Sequence, residues 1–269
     1  MNNLQMYCLS RYDNLKKKII DLDYIPVGLG SEKYSDGWLL DSTGKNISHK
    51  NSFYGEYTFH YWFWKNELVN IPNDTWIGFC AYRRFWSKNK NKVSKINNLK
   101  NEILRNISSD LDSYDVILGD RIDLTNLKWM KVIKYGKISF LRNPSVIFKN
   151  KRNIRFHFDM FHGNGILDKA IEQLDSENKE DFKNFVYKET SFNQGNMFIC
   201  KSKEIIEKYY STIFKWLENC EKIFGFDLEG YGKKRLYGFL AERFLSYWFR
   251  KNSNYIEWPI LFYDLYNEN

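Results

Sequence analysis

The stretch TWIGFCAYRRFW, Thr75 to Trp86, decides the reading of this chain. Trp76 to Cys80 is a short, almost wholly apolar run, the pattern of a strand buried on both faces of an α/β sheet. Tyr82-Arg83-Arg84-Phe85 follows at its carboxyl end, where open α/β sheets bind their ligands. Adjacent arginines can hold a diphosphate or a carboxylate through paired, charge-assisted hydrogen bonds that a lysine cannot reproduce. They could equally pair with surface acids, so the rest of the chain has to decide.

Upstream, Gln5 to Leu9 reads as a strand, LKKKIIDL as a helix and Tyr24 to Gly28 as a second strand running into Gly-Leu-Gly, which together form a β-α-β opening. Residues 31–51 are loop-like and contain DSTGKNIS, a dense run of turn formers and hydrogen-bonding side chains that includes Asn46 and Ser48. From Phe53 to Asn70 the recurrence of Phe53, Tyr57, Tyr61, Trp64 and Leu68 predicts one helix with an aromatic core stripe. Glu56 and His60 sit one turn apart on another face, either near the ligand-binding end of the sheet or as a surface pair.

Downstream, Val93, Ile96, Leu99, Ile103 and Ile107 predict a helix to Leu111, and Tyr114 to Gly119 a strand ending at Asp120-Arg121-Ile122-Asp123. Asp120 and Asp123 are the nearest thing in the chain to a paired-acid metal motif at a strand end. His157, Asp159, His162 and Asp168 share a polar-aromatic segment. Two histidines five apart do not share a helical face, so an acid-base or substrate-binding role for Asp159, His162 or Asp168 fits better than zinc, alongside helix capping or a satisfied histidine. Phe192 to Cys200 is an amide-rich turn feeding a buried strand, with Asn196 able to read sugar hydroxyls. Helices follow over Ser202–Phe224 and Lys233–Lys251, the second carrying Arg235, Glu242 and Arg243 in an aromatic stripe where charges must be paired or face a site. Tyr255 to Tyr263 closes the chain as a strand.

Apolar residues at 43% and aromatics at 18% exclude a disordered chain. The absence of an 18-residue apolar run and of a basic-then-apolar start leads to the expectation of a cytoplasmic protein. Cys8, Cys80, Cys200 and Cys220 form no C-x-x-C pair and are expected to be reduced core residues. The charge of +8 is uneven: eight Lys or Arg face one acid between Arg83 and Arg105, and nine face none between Lys128 and Arg155. Such blocks suit an anionic bilayer, a phosphate-bearing substrate or nucleic acid, or simply a soluble surface.

In order, VGLG, DSTGKNIS, YGEYTFHYWFWKN, WIGFCAYRRF, NMFIC and YGFLAERFLSYW resemble a bacterial glycosyltransferase family of capsule and lipopolysaccharide loci, long catalogued as a domain of unknown function. The resemblance covers most of the chain. It implies an α/β nucleotide-sugar transferase of GT-A type with a helical C-terminal part, arranged as one domain over 1–269. Residues 1–125 would form the donor half, and residues 126–269 the acceptor-binding and helical half. It also implies a UDP-sugar donor, UDP-galactofuranose in some members, and a lipid-linked saccharide acceptor at the inner membrane face. Asn46, Ser48, Glu56, Tyr82, Arg83, Arg84, Asn196, Glu242 and Arg243 match its pattern; all of these but Glu56, together with Arg235 from the last helix, are expected at the donor, and Asp168, Asp159 and then Glu56 are the candidates for the base. Ala81 stands where the family commonly has histidine. Because the strand end carries Tyr-Arg-Arg in place of D-x-D, manganese or magnesium dependence is expected to be weak or to run through Asp120 and Asp123. Rival readings are a nucleic-acid or carbohydrate-binding protein without turnover, or a sugar phosphotransferase.

Overall fold

A computed structural model of the chain describes residues 3–90, 96–126, 141 and 144–267. The strands are β1 (Leu4–Ser10), β2 (Ile25–Gly28), β3 (Leu39–Leu40), β4 (Trp76–Ala81), β5 (Arg84–Trp86), β6 (Val116–Gly119), β7 (Arg121–Asp123), β8 (Ser191–Asn193), β9 (Phe198–Cys200), β10 (Tyr255–Trp258) and β11 (Ile260–Phe262). Nine of them form a sheet with the path β10-β6-β9-β4-β1-β2-β3, with β5 and β11 attached beyond β4. β1 is parallel to β2 and β4, and β10 is parallel to β6. The short β9 is inserted antiparallel between β4 and β6, so strands from both sides of residue 125 interleave in one sheet. This is a mixed α/β, GT-A-like architecture with a helical C-terminal part.

Alternation along each strand divides the interior into two layers. Tyr7, Leu9, Ile77, Phe79, Val116, Leu118 and Phe198 face the layer made with the aromatic segment and the C-terminal helices Lys203–Phe224 and Leu236–Asn252. Met6, Cys8, Trp76, Cys80, Ile117 and Ile199 face the other, against Leu15, Ile19, Trp86 and Ile107. Gly78 has no side chain because a β-carbon would sit 2.7 Å from Met6 Cε. All four cysteines are buried with free thiols.

Two periodicity readings come out differently in detail. The expected helix from Phe53 to Asn70 is broken at Gly55, whose φ of +58° ends the Asn51–Tyr54 turn. The chain restarts as Tyr57–Trp62 and widens into a π turn at Phe63–Glu67. Tyr57, Thr58, Phe59, His60 and Phe63 are therefore fully buried, while Tyr61 and Trp64 stay half-buried on the outer side. The expected helix to Leu111 is, within the described residues, an α turn at Leu99–Glu102, after which Ile103 bridges to Ser87, and a separate 3-10 turn at Ser109–Leu111. Its apolar spacing reflects a wrapped segment whose Leu99, Ile103, Leu104 and Ile107 all reach the second layer. Val93 and most of the basic stretch 128–143 lie outside the described residues. Among those described, no helix is long and apolar enough to cross a membrane.

Candidate functional site

The parallel strands β1, β2 and β4 end together, at Ser10, Gly28 and Ala81, beneath a cleft of about 800 Å³. Arg11, Arg83, Arg84, Lys234 and Arg235 line it against two carboxylates, Glu32 and Glu56, so its field is positive. Tyr82 and Arg83 are the two turn residues between β4 and β5, with Ala81 paired to Arg84. Neighbouring backbone fixes the turn: Tyr82 N–H donates to the Leu9 carbonyl, while Tyr263 and Leu265 N–H donate to the carbonyls of Arg83 and Tyr82. Pro259 separates β10 from β11 and lets β11 turn onto β5, which carries those residues to the arginines.

The two arginines differ. Arg83 lies 3.8 Å from Asp264 and over the Tyr82 ring. Arg84 is exposed and, among the described residues, makes no hydrogen bond or ion pair. An unpaired guanidinium in a positive cleft is available to an incoming anion.

Opposite it, Arg235 Nη2 donates to Glu56 Oε2 at 3.0 Å. Arg235 interrupts the run from Tyr231–Lys234 to Leu236–Asn252. Its guanidinium crosses Gly55, where a β-carbon would overlap it. Burial pushes the Glu56 carboxyl up, but Arg235, its own N–H, Arg84 and the Asn196 amide outweigh this and hold it below the usual carboxylate range.

The amide-rich turn is tied down beside this pair. Gly195, at φ +75°, donates its N–H to Glu242 at 2.8 Å, Gln194 donates to Asp120, and Asn196 Nδ2 donates to the Gly238 carbonyl. His60 Nε2–H donates to the Asn196 carbonyl, so its Nδ1 accepts from Tyr210 Oη at 2.8 Å. His60 is thus a buried, neutral strut. Burial lowers its pKa to about 4.

On the other wall, Asn46 Nδ2 donates to the carbonyls of Ser42 and Gly44 while its Oδ1 accepts from both N–H and hydroxyl of Ser48. Ser48 lines the cleft, and Asn46 shapes the loop that carries it. Asp41 is fully buried and accepts from Gly30 N–H at 2.8 Å and from Thr58 Oγ1, which joins the glycine turn after β2 to the aromatic segment. Burial raises its carboxyl despite those donors.

Of the residues expected at a site, Ser48, Glu56, Tyr82, Arg83, Arg84 and Arg235 meet in this cleft. Others do not reach it. Arg243 is 2% exposed, bonded to Glu242, 3.2 Å from His157 Nδ1 and 4.3 Å over the Phe192 ring. It is the core partner that aims Glu242, because a buried guanidinium must be paired. Asp168 is held bidentately by Arg155, at 2.7 to 3.0 Å, and by Tyr187 Oη. Asp159 accepts from Gly165 N–H and lies 3.7 Å from Arg155. These acids brace a helix–helix corner, which is why they do not line the cleft as bases. His162 Nδ1–H donates to the Gly232 carbonyl at 2.8 Å, the ring stacks on Phe239 at 4.0 Å, and its pKa is pushed down to about 3 by burial and by Arg243.

The expected metal pair also does not fit an ion. Asp123 caps its own turn through Thr125 and Asn126, Asp120 is bonded to Gln194, and the described residues contain no group of three His, Cys, Asp or Glu able to hold a metal. Sequence reasoning passed over Arg11, Lys234 and Asp41. Arg11 stands one residue past a strand end and Lys234 next to Arg235, signals available from the strand boundary alone. Asp41 opened a run read only as turn formers.

No curated protein matches the chain. Among solved structures, the apo form of a WbbM bifunctional glycosyltransferase superposes with a TM-score of 0.71 at 21% identity, covering 97% of this chain and 45% of that one. The chain therefore spans under half the length of that protein, and the likeness is one of fold. A family profile matches residues 12–253, from the tyrosine after β1 to the end of the last long helix, and so takes in every cleft-lining residue except Leu9, Ser10, Arg11 and Phe262. By that match the chain belongs to the family described as Domain of unknown function (DUF4422).

Proposed function

We propose that the chain is a glycosyltransferase that moves a sugar from a nucleotide diphosphate donor to a growing glycan. The observation that carries this is the unpaired Arg84 beside Arg83, at the carboxyl ends of three parallel strands and facing Arg235 across the cleft. Such a cluster matches a leaving diphosphate, whose charge grows as the anomeric bond breaks. In this reading Arg83, Arg84 and Arg235 bind the diphosphate, and Ser48 and Tyr82 contact the nucleoside or sugar. Glu56 accepts the proton of the acceptor hydroxyl as that oxygen attacks the anomeric carbon. Glu56 is preferred to Asp159 and Asp168 because it alone of the three lines the cleft. Glu242 holds Gly195 and so steadies the 194–196 turn, whose Asn196 amide helps hold the Glu56 carboxylate ionised.

The donor is assigned as a UDP-sugar, with UDP-galactofuranose one candidate, and the acceptor as a lipid-linked capsular or lipopolysaccharide chain met at the cytoplasmic face of an anionic membrane. Nucleic acid has no part in this scheme. With arginines at the diphosphate, manganese or magnesium is not assigned a step. The test is ligand-induced thermal stabilisation by UDP, GDP, CMP and UDP-sugars, with and without manganese, in wild type and in an Arg83→Ala, Arg84→Ala double variant. Selective stabilisation by one nucleotide, lost in the variant, supports the reading. Stabilisation only by glycan or single-stranded RNA overturns it.

A further inference from the structure

A second cavity, of about 510 Å³, lies on the far side of the segment that walls the donor cleft. Residues 45–56 line both: Ser48, Ser52 and Glu56 face the cleft, whereas Lys45, Lys50 and Tyr54 face this groove. Its other wall is the Lys203–Phe224 helix, through Phe214, Lys215 and Glu218.

The groove has a built aromatic and cationic interior. The π turn at Phe63–Glu67 swings Trp64 and Lys65 outward. Trp64 stacks flat on Phe214, with centroids 5.6 Å apart, and Tyr61 meets both edge-on. The Lys65 ammonium rests over the Trp64 and Tyr61 rings. Lys45 is fixed next to it, because Asn66 on the π turn accepts from Lys45 N–H at 3.0 Å and donates to its carbonyl at 2.9 Å. Gly44, at φ +51°, permits that close approach, since a β-carbon there would strike Asn66.

Charge in the groove is unbalanced. Lys50 is neutralised by Glu221, at 2.7 and 2.9 Å, and Tyr54 Oη completes that carboxylate. Lys45, Lys65 and Lys215 then face Glu218 among the lining acids and, just outside the lining, Glu207, which accepts from Trp64 Nε1 at 2.7 Å and acts on Lys65, so cations still outnumber acids. Burial, then the neighbouring Lys45 charge, hold the Lys65 ammonium below its usual pKa. The Lys65 ammonium over aromatic rings, with the Lys45 charge near it, favours a ligand that brings an anion together with an apolar face. A sugar ring carrying a carboxylate or phosphate has both, and the cavity is within the volume range of sites for small ligands.

We infer that the groove between Lys45, Lys65 and Phe214 is a binding site for an anionic saccharide, separate from the donor cleft and sharing one wall with it. The inference does not require the donor assignment: it fails or stands on glycan binding, whereas the donor reading fails or stands on nucleotide binding.

The probe is a hexamer of galacturonate, with maltohexaose as the uncharged control of equal length, titrated calorimetrically into the full chain at low and high salt. Binding of the uronate hexamer but not of maltohexaose, weakened at least tenfold in a Lys45→Gln, Lys65→Gln variant that keeps the wild-type response to UDP, is the expected result. A Lys65→Arg variant should retain binding. Equal binding of both hexamers, no binding of either, or unchanged uronate affinity in the double variant overturns the inference. So does competition for the lysines by phosphatidylglycerol vesicles that outcompete the hexamer, which would assign the groove to a membrane surface.

Discussion

Arg235 and Glu56 are paired at 3.0 Å in the cleft wall, 179 residues apart in sequence, with Arg84 contributing to the same field. A negative group thus sits among the cations meant for a diphosphate. Replacing it should separate binding from chemistry. Glu56→Gln is expected to lower transfer by about 10²- to 10⁴-fold, the range for loss of a positioned base. Nucleotide affinity should be kept or rise, because Arg235 and Arg84 lose a competing carboxylate. Thermal shift with UDP beside a product assay checks this, and weaker UDP binding with intact turnover would remove Glu56 from the mechanism. The carboxyl is held below its usual range, so its contribution to stability is complete above pH of about 4.3 and is lost as pH falls through the lowered value.

Arg83 and Arg84 are neighbours with unequal tasks. The Arg84 guanidinium makes no direct hydrogen bond or ion pair among the described residues and acts on Glu56 only through space, whereas Arg83 lies near Asp264 and Tyr82. Arg84→Ala should cost more in catalysis, about 10²- to 10³-fold, as when one donor to a developing charge is removed. It should leave the unliganded melting temperature unchanged, since surface changes away from special contacts shift stability by about 0.5 kcal/mol or less. Arg84→Lys should recover only part of the rate, because a point charge cannot bond two oxygens in a fixed fork. Equal losses for both arginines would contradict the asymmetry.

The sheet and its ligand end were legible in residues 75–86, since a continuous apolar strand followed by Tyr-Arg-Arg needs no long-range information. The histidines and acids of 155–168 were not. His162 and Asp168 carry the residue types of catalysis, but their partners, Gly232, Phe239, Arg155 and Tyr187, come from helices whose packing no local pattern reveals. Arg243 shows the same limit. Its position within an aromatic stripe was visible, but whether it faced a cleft or the Phe192 ring depended on how β8 lies against the last helix. Gly55 gave the clearest local warning, a glycine within a helical pattern, and it is where the helix breaks.

Acid should destabilise the fold through its buried histidines. His60 and His162 are buried, with pKa lowered from 6.5 to about 4 and about 3, and His157 is shifted in the same direction, burial leading in all three. The unfolded chain binds these protons near pH 6.5 and the folded chain does not. Stability is therefore complete above 6.5 and is lost as pH falls towards the folded values. Each histidine contributes a slope of at most about 1.4 kcal/mol per pH unit in that window. Urea melts at intervals from pH 7 to 4.5 should show stability falling by more than one proton's slope below pH 6. A flat profile to pH 5 would mean these rings are protonated in the native state.

Asp41 should matter more to folding than its place in a polar loop suggests. Its carboxylate accepts from Gly30 N–H and from Thr58 Oγ1, joining the turn after β2 to the aromatic segment that carries Glu56. Asp41→Ala leaves a buried N–H and a hydroxyl without that partner. Thr58 Oγ1 still has the Gly55 carbonyl at 3.0 Å, so the Gly30 N–H is the group left unsatisfied and the loss should be about 1–3 kcal/mol. Asp41→Asn keeps an acceptor for Gly30 and removes a charge whose burial is unfavourable, its carboxyl being raised by desolvation. It should therefore fall near wild type at pH 7, and the gap between the variants should narrow if Thr58→Val is introduced into both, since the two residues share one hydrogen bond. Chemical denaturation of the four proteins forms the cycle. If Asp41→Asn were as destabilised as Asp41→Ala, the ionised carboxylate itself would be what holds the wall, and the low cost assigned to neutralising it would be refuted.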